Sequence, residues 1–132
     1  MTMRSVSEIE AYLTAFRGAA ARPLGINVIP REKTRSGLAD LGLTLSAAQQ
    51  VIFAVSAKDY CKGPEVNHNN PEQSVWIFGK EVAGVEVYIK LILTPRLNQA
   101  ICIAFHPAER RLFYPHRSKT HARQTSGELY AV

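Results

Sequence analysis

Three polar side chains of different chemistry recur at every second position in the segment 85–93. Glu86, Tyr88 and Lys90 alternate with apolar residues, so in a β-strand they project from one face of the sheet. An acid, a phenol and an ammonium group then stand in a row, about 7 Å apart along the strand. The opposite face is wholly aliphatic and predicted to pack into the core: Val85, Val87, Ile89, Leu91 and Leu93.

Two further groups would join this row if neighbouring segments pack beside it. His106 ends the next apolar segment, 100–106, and Lys62 follows a predicted helical turn. Cross-strand neighbours in an antiparallel sheet lie within reach of long side chains. We therefore expect Lys62 and His106 to lie near the polar face of 85–93.

This set suits cleavage of RNA by internal attack. The 2′-hydroxyl loses a proton as it attacks the phosphorus, the leaving 5′-oxygen gains one, and the charged phosphoryl oxygens need fixed cations. We assign Tyr88 or Glu86 as the base, His106 as the acid, and Lys62 and Lys90 as phosphate ligands. The chemistry requires no metal or other cofactor, and none is expected.

Two more residues are candidates for RNA contact, and each also has a structural interpretation. Trp76 could stack on a base but is also typical of a core, and Arg96 lies in the turn after 85–93. Glu86 and Lys90 could form a simple ion pair, and His106 could merely end a strand before Pro107. Four cysteine and histidine residues could bind zinc, but their spacing in the sequence does not match a zinc-binding motif: Cys61, His68, Cys102 and His106.

Composition indicates one globular domain with a polyanionic or acidic partner. The chain has 132 residues and a net charge of +5, much of it within 31–35 and 110–123. No apolar run reaches membrane-spanning length, and no secretory signal follows the N-terminal Met. We therefore expect a cytoplasmic protein with free thiols and no membrane association.

The order of elements predicts an α+β fold: a small antiparallel meander of three to four strands, with two to three helices packed on one face. Helices are expected from Ser5 onward, over 31–40 with Gly42 as C-cap, and over 47–55 with Ser46 as N-cap. The sequence divides into an N-terminal helix (1–22), a core (31–114) and a polar, basic tail (115–132) that we expect to be mobile.

The predicted strands follow a long loop over 63–73 and are 74–78, 85–93 and 100–106, with an edge strand over 111–114. In the third strand, alternation places Ile101, Ile103 and Phe105 on one face. Cys102, Ala104 and His106 then occupy the other face.

Four short segments occur in an order that resembles the MqsR toxins: Asp59-Tyr60-Cys61-Lys62, Val75-Trp76, Val87-Tyr88-Ile89-Lys90 and Ala104-Phe105-His106. The MqsR toxins belong to the RelE-like ribonucleases of bacterial toxin–antitoxin systems. The resemblance covers roughly 31–106. It implies a sheet with helices on one side, cleavage of mRNA, on the ribosome or free of it, and neutralisation by a cognate antitoxin.

Carried over by position, the resemblance assigns active-site roles to Lys62, Tyr88 and His106. Two positions depart from the family pattern: Ile77 stands where a glutamine is expected, and His106 stands where a lysine is expected. A different class of function also fits the residues, namely a non-catalytic basic module that binds nucleic acid or an acidic partner protein. It would bind without cleaving and would tolerate loss of Tyr88 and His106.

Overall fold

The computed structural model describes residues 3–117, which form three α-helices and one five-stranded β-sheet. The predicted α+β class is confirmed. In chain order the elements are α1 (Val6–Ala20), β1 (Ile26–Val28), α2 (Glu32–Leu41), α3 (Leu45–Phe53), β2 (Tyr60–Val66), β3 (Ser74–Val82), β4 (Val85–Leu93) and β5 (Ala100–Pro107). A short 3₁₀ turn, Ala57–Asp59, leads into β2.

The sheet has the order β1-β5-β4-β3-β2, and β2 to β5 form an antiparallel meander. Strands β3, β4 and β5 of this meander were predicted, whereas β2 was not. The expectation of a purely antiparallel sheet is wrong, because β1 pairs with β5 in parallel through Ile26↔Ala100. Residues 63–66 belong to β2 rather than to a loop, and β3 is longer than predicted because it continues past Phe78 to Val82.

Local capping chemistry sets the helix boundaries. Ser5 and Glu8 form the predicted capping box at the start of α1. Gly42 ends α2 in the left-handed conformation, as its lack of a side chain allows. The predicted N-cap of α3 is wrong: Thr44, not Ser46, accepts the Ala47 N–H at 3.0 Å, so the helix begins earlier.

The main core lies between the helices and one face of the sheet. Ile9, Leu13 and Phe16 of α1 are almost fully buried there with Phe78 and Ile89. Burial of such side chains is the main stabilising term of a small domain.

Trp76 belongs to this core rather than to an RNA-binding surface. Its ring stacks on that of Tyr12, with centroids 4.2 Å apart and planes at 11°. Only 9% of the residue is exposed to solvent. The prediction that Trp76 contacts RNA is therefore wrong, because a stacking site must present a free aromatic face.

A β-bulge in β5 changes which side chains share a face. Lys90 pairs with Ala104 but Leu91 pairs with Cys102, so Ile103 is an extra residue. Cys102 and Phe105 consequently both enter the main core. The strict alternation predicted for 100–106 is wrong for this reason.

The segment after β5 does not form the predicted edge strand over 111–114. Instead, residues 108–117, which we call the strap, pass over Gly79 on the sheet face opposite the main core. The strap ends beside the 3₁₀ turn and the residues before α1, where Arg117 contacts Asp59 and His116 contacts the Arg4 carbonyl oxygen. Of the tail predicted for 115–132, positions 118–132 lie outside the described residues. Within residues 3–117, no helix combines the length and apolar character needed to cross a membrane.

Candidate functional site

A cleft of about 690 Å³ opens on the face of the sheet opposite the main core. Its floor comprises residues from β2, β3, β4 and β5, including Cys61, Ile77 and Ala104. The start of α2 forms one wall and strap residues 109–113 form another. A concave surface with several convergent polar groups is the usual form of a binding site.

Four residues predicted to carry chemistry line this one cleft: Lys62, Tyr88, Lys90 and His106. Strand register explains their proximity. Ile77 of β3 pairs with Lys62 on one side and Lys90 on the other. Tyr88 lies two positions before Lys90 along β4, on the same face, and pairs with His106 directly across the β4–β5 ladder.

The aromatic groups of the floor are close to each other and to a cation. The Tyr88 and His106 ring centroids are 5.4 Å apart, and the Lys90 Nζ lies 5.7 Å from the Tyr88 ring centroid. His106 Nδ1 is 2.9 Å from the Pro107 carbonyl oxygen, to which it can only donate. In neutral imidazole, this contact favours the tautomer with its proton on Nδ1, which leaves Nε2 as the acceptor.

Helix α2 holds the backbone around His106 in place. A Cβ atom at Gly37 would lie 2.7 Å from the His106 Cβ, so glycine allows the helix to touch the strand directly. One turn earlier, the buried Thr34 hydroxyl accepts the Phe105 N–H at 3.3 Å. These contacts cover the part of β5 that extends beyond β1.

The environment of Tyr88 favours its neutral phenol. Burial raises the pKa of Tyr88, and the nearby carboxylates of Glu65 and Glu109 raise it further. Burial, followed by the nearby Glu86 carboxylate, also raises the pKa of Cys61 to about 12. At neutral pH both groups are protonated, so Tyr88 is a hydrogen-bond donor and its predicted role as base is not supported.

The cleft is strongly cationic. Among residues 3–117, one carboxylate lines it, that of Glu109, and its pKa is lowered because it binds Lys33 at 2.7 Å. Lys62 also contacts Glu65 at 3.6 Å. Six basic side chains line the cleft: Arg31, Lys33, Lys62, Lys90, Arg110 and Arg111. This excess of positive charge suits a polyanion.

Four of these basic residues were not among the predicted site residues, although the sequence marked them as charge clusters. Arg31 and Lys33 belong to the basic segment 31–35, and Arg110 and Arg111 begin the second basic segment. Composition could not show that both clusters border the same cleft. Arg96 does not line it, but lies exposed in the turn between β4 and β5.

Glu86 has a structural role, and its predicted role as base is wrong. Its carboxylate accepts the Leu112 N–H at 3.2 Å and the Tyr114 hydroxyl at 2.7 Å. Both contacts hold the strap onto the sheet. Glu86 therefore shapes one wall of the cleft and does not line it.

The two cysteines lie on opposite faces of the sheet, Cys61 in the cleft and Cys102 in the main core. Among residues 3–117, no three His, Cys, Asp or Glu side chains are grouped as a metal site would require. Comparison of the sequence with protein-family models gives no match. A search of curated proteins likewise finds no significant similarity.

Proposed function

We propose that the cleft binds RNA and cleaves it as an endoribonuclease, with a 2′,3′-cyclic phosphate and a 5′-hydroxyl as products. The observation that carries this proposal is the convergence of His106, Tyr88, Lys62 and Lys90 in one cationic cleft. A phosphodiester needs cations for its oxygens and a proton donor for its leaving group, and this cleft offers both.

In the proposed step, the 2′-oxygen forms a bond to phosphorus while the bond from phosphorus to the 5′-oxygen breaks. Water takes the proton of the 2′-hydroxyl, because Tyr88 is held in its neutral form. Protonated His106 gives its Nε2 proton to the 5′-oxygen. Lys62, Lys90 and the Tyr88 hydroxyl donate hydrogen bonds to the phosphoryl oxygens, on which negative charge increases.

The first test is cleavage of a labelled RNA oligonucleotide by purified protein in buffer containing EDTA. We expect products with a cyclic phosphate end, identified by mass spectrometry, and no cleavage where a 2′-deoxynucleotide replaces the scissile ribose. His106→Ala should lose at least about 100-fold in rate, since general acid catalysis contributes roughly 10²–10⁴-fold.

The control is His68→Ala, because His68 is exposed in the loop after β2 and does not line the cleft. It should cleave at the wild-type rate. If His106→Ala folds and retains full activity, His106 takes no part in the reaction. If the wild-type protein binds RNA and never cleaves it, the cleft belongs to a non-catalytic binding module.

We also propose a biological role as a toxin that degrades mRNA, free or on the ribosome, and that a cognate antitoxin neutralises. Support comes from the resemblance to the MqsR toxins, together with the cationic cleft that contains Lys62, Tyr88 and His106. Expression should arrest growth, and co-expression of the neighbouring gene should restore it. Expression of His106→Ala at the same level should leave growth unaffected, and arrest by that variant would separate toxicity from RNA cleavage.

A further inference from the structure

The strap is attached to the sheet by several specific contacts. At its start, the Ala108 N–H donates to the Glu86 carbonyl oxygen at 2.8 Å. The Glu86 carboxylate then accepts from the Leu112 N–H and the Tyr114 hydroxyl. One residue of β4 thus holds the strap at three points.

The end of the strap is also held by specific contacts, which Arg117 makes. The Arg117 guanidinium stacks over the Tyr114 ring at 3.6 Å and binds the buried carboxylate of Asp59 at 3.1 Å. Beneath the strap, Gly79 of β3 leaves the space that Leu112 and Tyr114 occupy, and a Cβ atom there would overlap both. The strap therefore packs closely against the sheet and has a defined position in the fold.

These contacts decide which side chains the strap presents to solvent. Leu112 and Tyr114 contact the sheet, whereas Phe113 between them is 76% exposed and lines the cleft. The neighbouring Arg110 and Arg111 are also exposed and line it. Because Leu112 and Tyr114 are anchored to the sheet, the Phe113 ring between them is held in solvent beside Arg110 and Arg111.

Exposure of an aromatic ring is uncommon in the described part of this chain. Of the Phe, Tyr and Trp residues within 3–117, Phe53 and Phe113 are exposed, and Phe53 lies on α3 away from the cleft. Proteins that bind single-stranded nucleic acid combine a cationic groove with aromatic rings on which bases stack. Phe113 and its arginine neighbours have both components.

We propose that the strap is a nucleotide-binding element in which the Phe113 ring stacks on an unpaired base beside the scissile phosphate, while Arg110 and Arg111 bind the flanking phosphates. The proposal rests on the proposed function and adds a substrate requirement to it. Because a base within a duplex has no free face, the cleft selects single-stranded RNA.

The experiment measures binding of a fluorescent 2′-O-methyl RNA oligonucleotide, which the protein cannot cleave, by fluorescence anisotropy. Phe113→Ala should raise the dissociation constant about 5- to 150-fold, as expected for loss of one base-stacking contact. Phe113→Trp should bind at least as tightly as wild type. The matched control Leu97→Ala removes another exposed apolar side chain, 73% exposed and outside the cleft, and should leave affinity unchanged.

A second arm uses oligonucleotides in which one nucleotide at a time is abasic. At the position that stacks on Phe113, wild type and Phe113→Ala should bind the abasic strand with equal affinity. If wild type binds RNA and Phe113→Ala binds as tightly, the stacking proposal is overturned and the proposed function stands. If wild type binds no RNA at all, the proposed function and the stacking proposal fail together.

Discussion

Tyr88 and His106 lie directly opposite each other on β4 and β5, with ring centroids 5.4 Å apart. The two rings face a cleft that also contains Lys62 and Lys90. This pair brings a phenol that its surroundings keep neutral next to an imidazole whose Nδ1 contacts the Pro107 carbonyl oxygen.

Tyr88→Phe should slow RNA cleavage about 10-fold or more without changing the shape of the pH–rate profile between pH 5 and 9. The pKa of Tyr88 is raised from its ordinary value of 10.0, so the phenol is protonated throughout that range and contributes no limb to the profile. The loss reflects one missing hydrogen bond to the transition state. Disappearance of a rise in rate with pH in the variant would instead identify Tyr88 as the base.

Gly37→Ala should destabilise the protein by about 1–3 kcal/mol, because the new methyl group would meet the backbone and Cβ of His106. Urea denaturation measures the loss, and the rate of RNA cleavage should fall as His106 is displaced. Gly18→Ala is the control: Gly18 lies in α1 with no atom near its Cβ position. That change should stabilise the helix by about 0.5–1 kcal/mol. Equal effects of the two substitutions would contradict the contact between α2 and β5.

Glu86→Ala should cost about 1–3 kcal/mol of stability, since it leaves the Leu112 N–H and the Tyr114 hydroxyl without their acceptor. It should also weaken RNA binding by releasing the strap, which hydrogen exchange of residues 108–117 would detect. Glu81→Ala is a matched control, because Glu81 is exposed and lies opposite Glu86 on β3. Removing that like charge should change stability by less than about 0.5 kcal/mol. Unchanged exchange in Glu86→Ala would show that the strap is held by other contacts.

Lys90→Met should weaken RNA binding and reduce its dependence on salt. A cation that contacts a phosphate of single-stranded nucleic acid contributes about 0.7 to the slope of log affinity against log salt concentration. Titrations at several salt concentrations should therefore give a slope smaller by that amount. Lys58→Met removes an exposed lysine outside the cleft and should leave the slope unchanged. If Lys90→Met binds RNA with the same salt dependence as wild type, Lys90 does not contact a phosphate and the RNA binds elsewhere on the protein.

Features that depend on local sequence could be predicted well. The capping box at Ser5 and the left-handed C-cap at Gly42 arise within one helical turn, so the nearby residues determine them. The period-two pattern of 85–93 similarly identified the strand that carries Tyr88 and Lys90. It also identified the core face of that strand at Val87, Ile89 and Leu91, because a half-buried strand must alternate. The prediction was wrong for Val85 at the end of the strand, which is 38% exposed.

Features that depend on contacts distant in sequence could not be predicted. The bulge at Ile103 moves Phe105 into the core, and no pattern within 100–107 specifies it. The parallel pairing of β1 with β5 joins segments more than 70 positions apart. By sequence, Glu86 could be a base or an ion-pair partner of Lys90. Only its long-range contacts with Leu112 and Tyr114 showed that it anchors the strap.

The sequence by itself determined the helices, the main strands and the residue types available for chemistry, because these follow from short-range periodicity and charge. Tertiary structure alone decided that the basic segments 31–35 and 110–111 border one cleft, and that Phe113 faces solvent beside it. The physical reason is that a long-range contact depends on how whole elements pack. Gly37 and Gly79, which allow α2 and the strap to approach the sheet, acquire their role only once those elements meet.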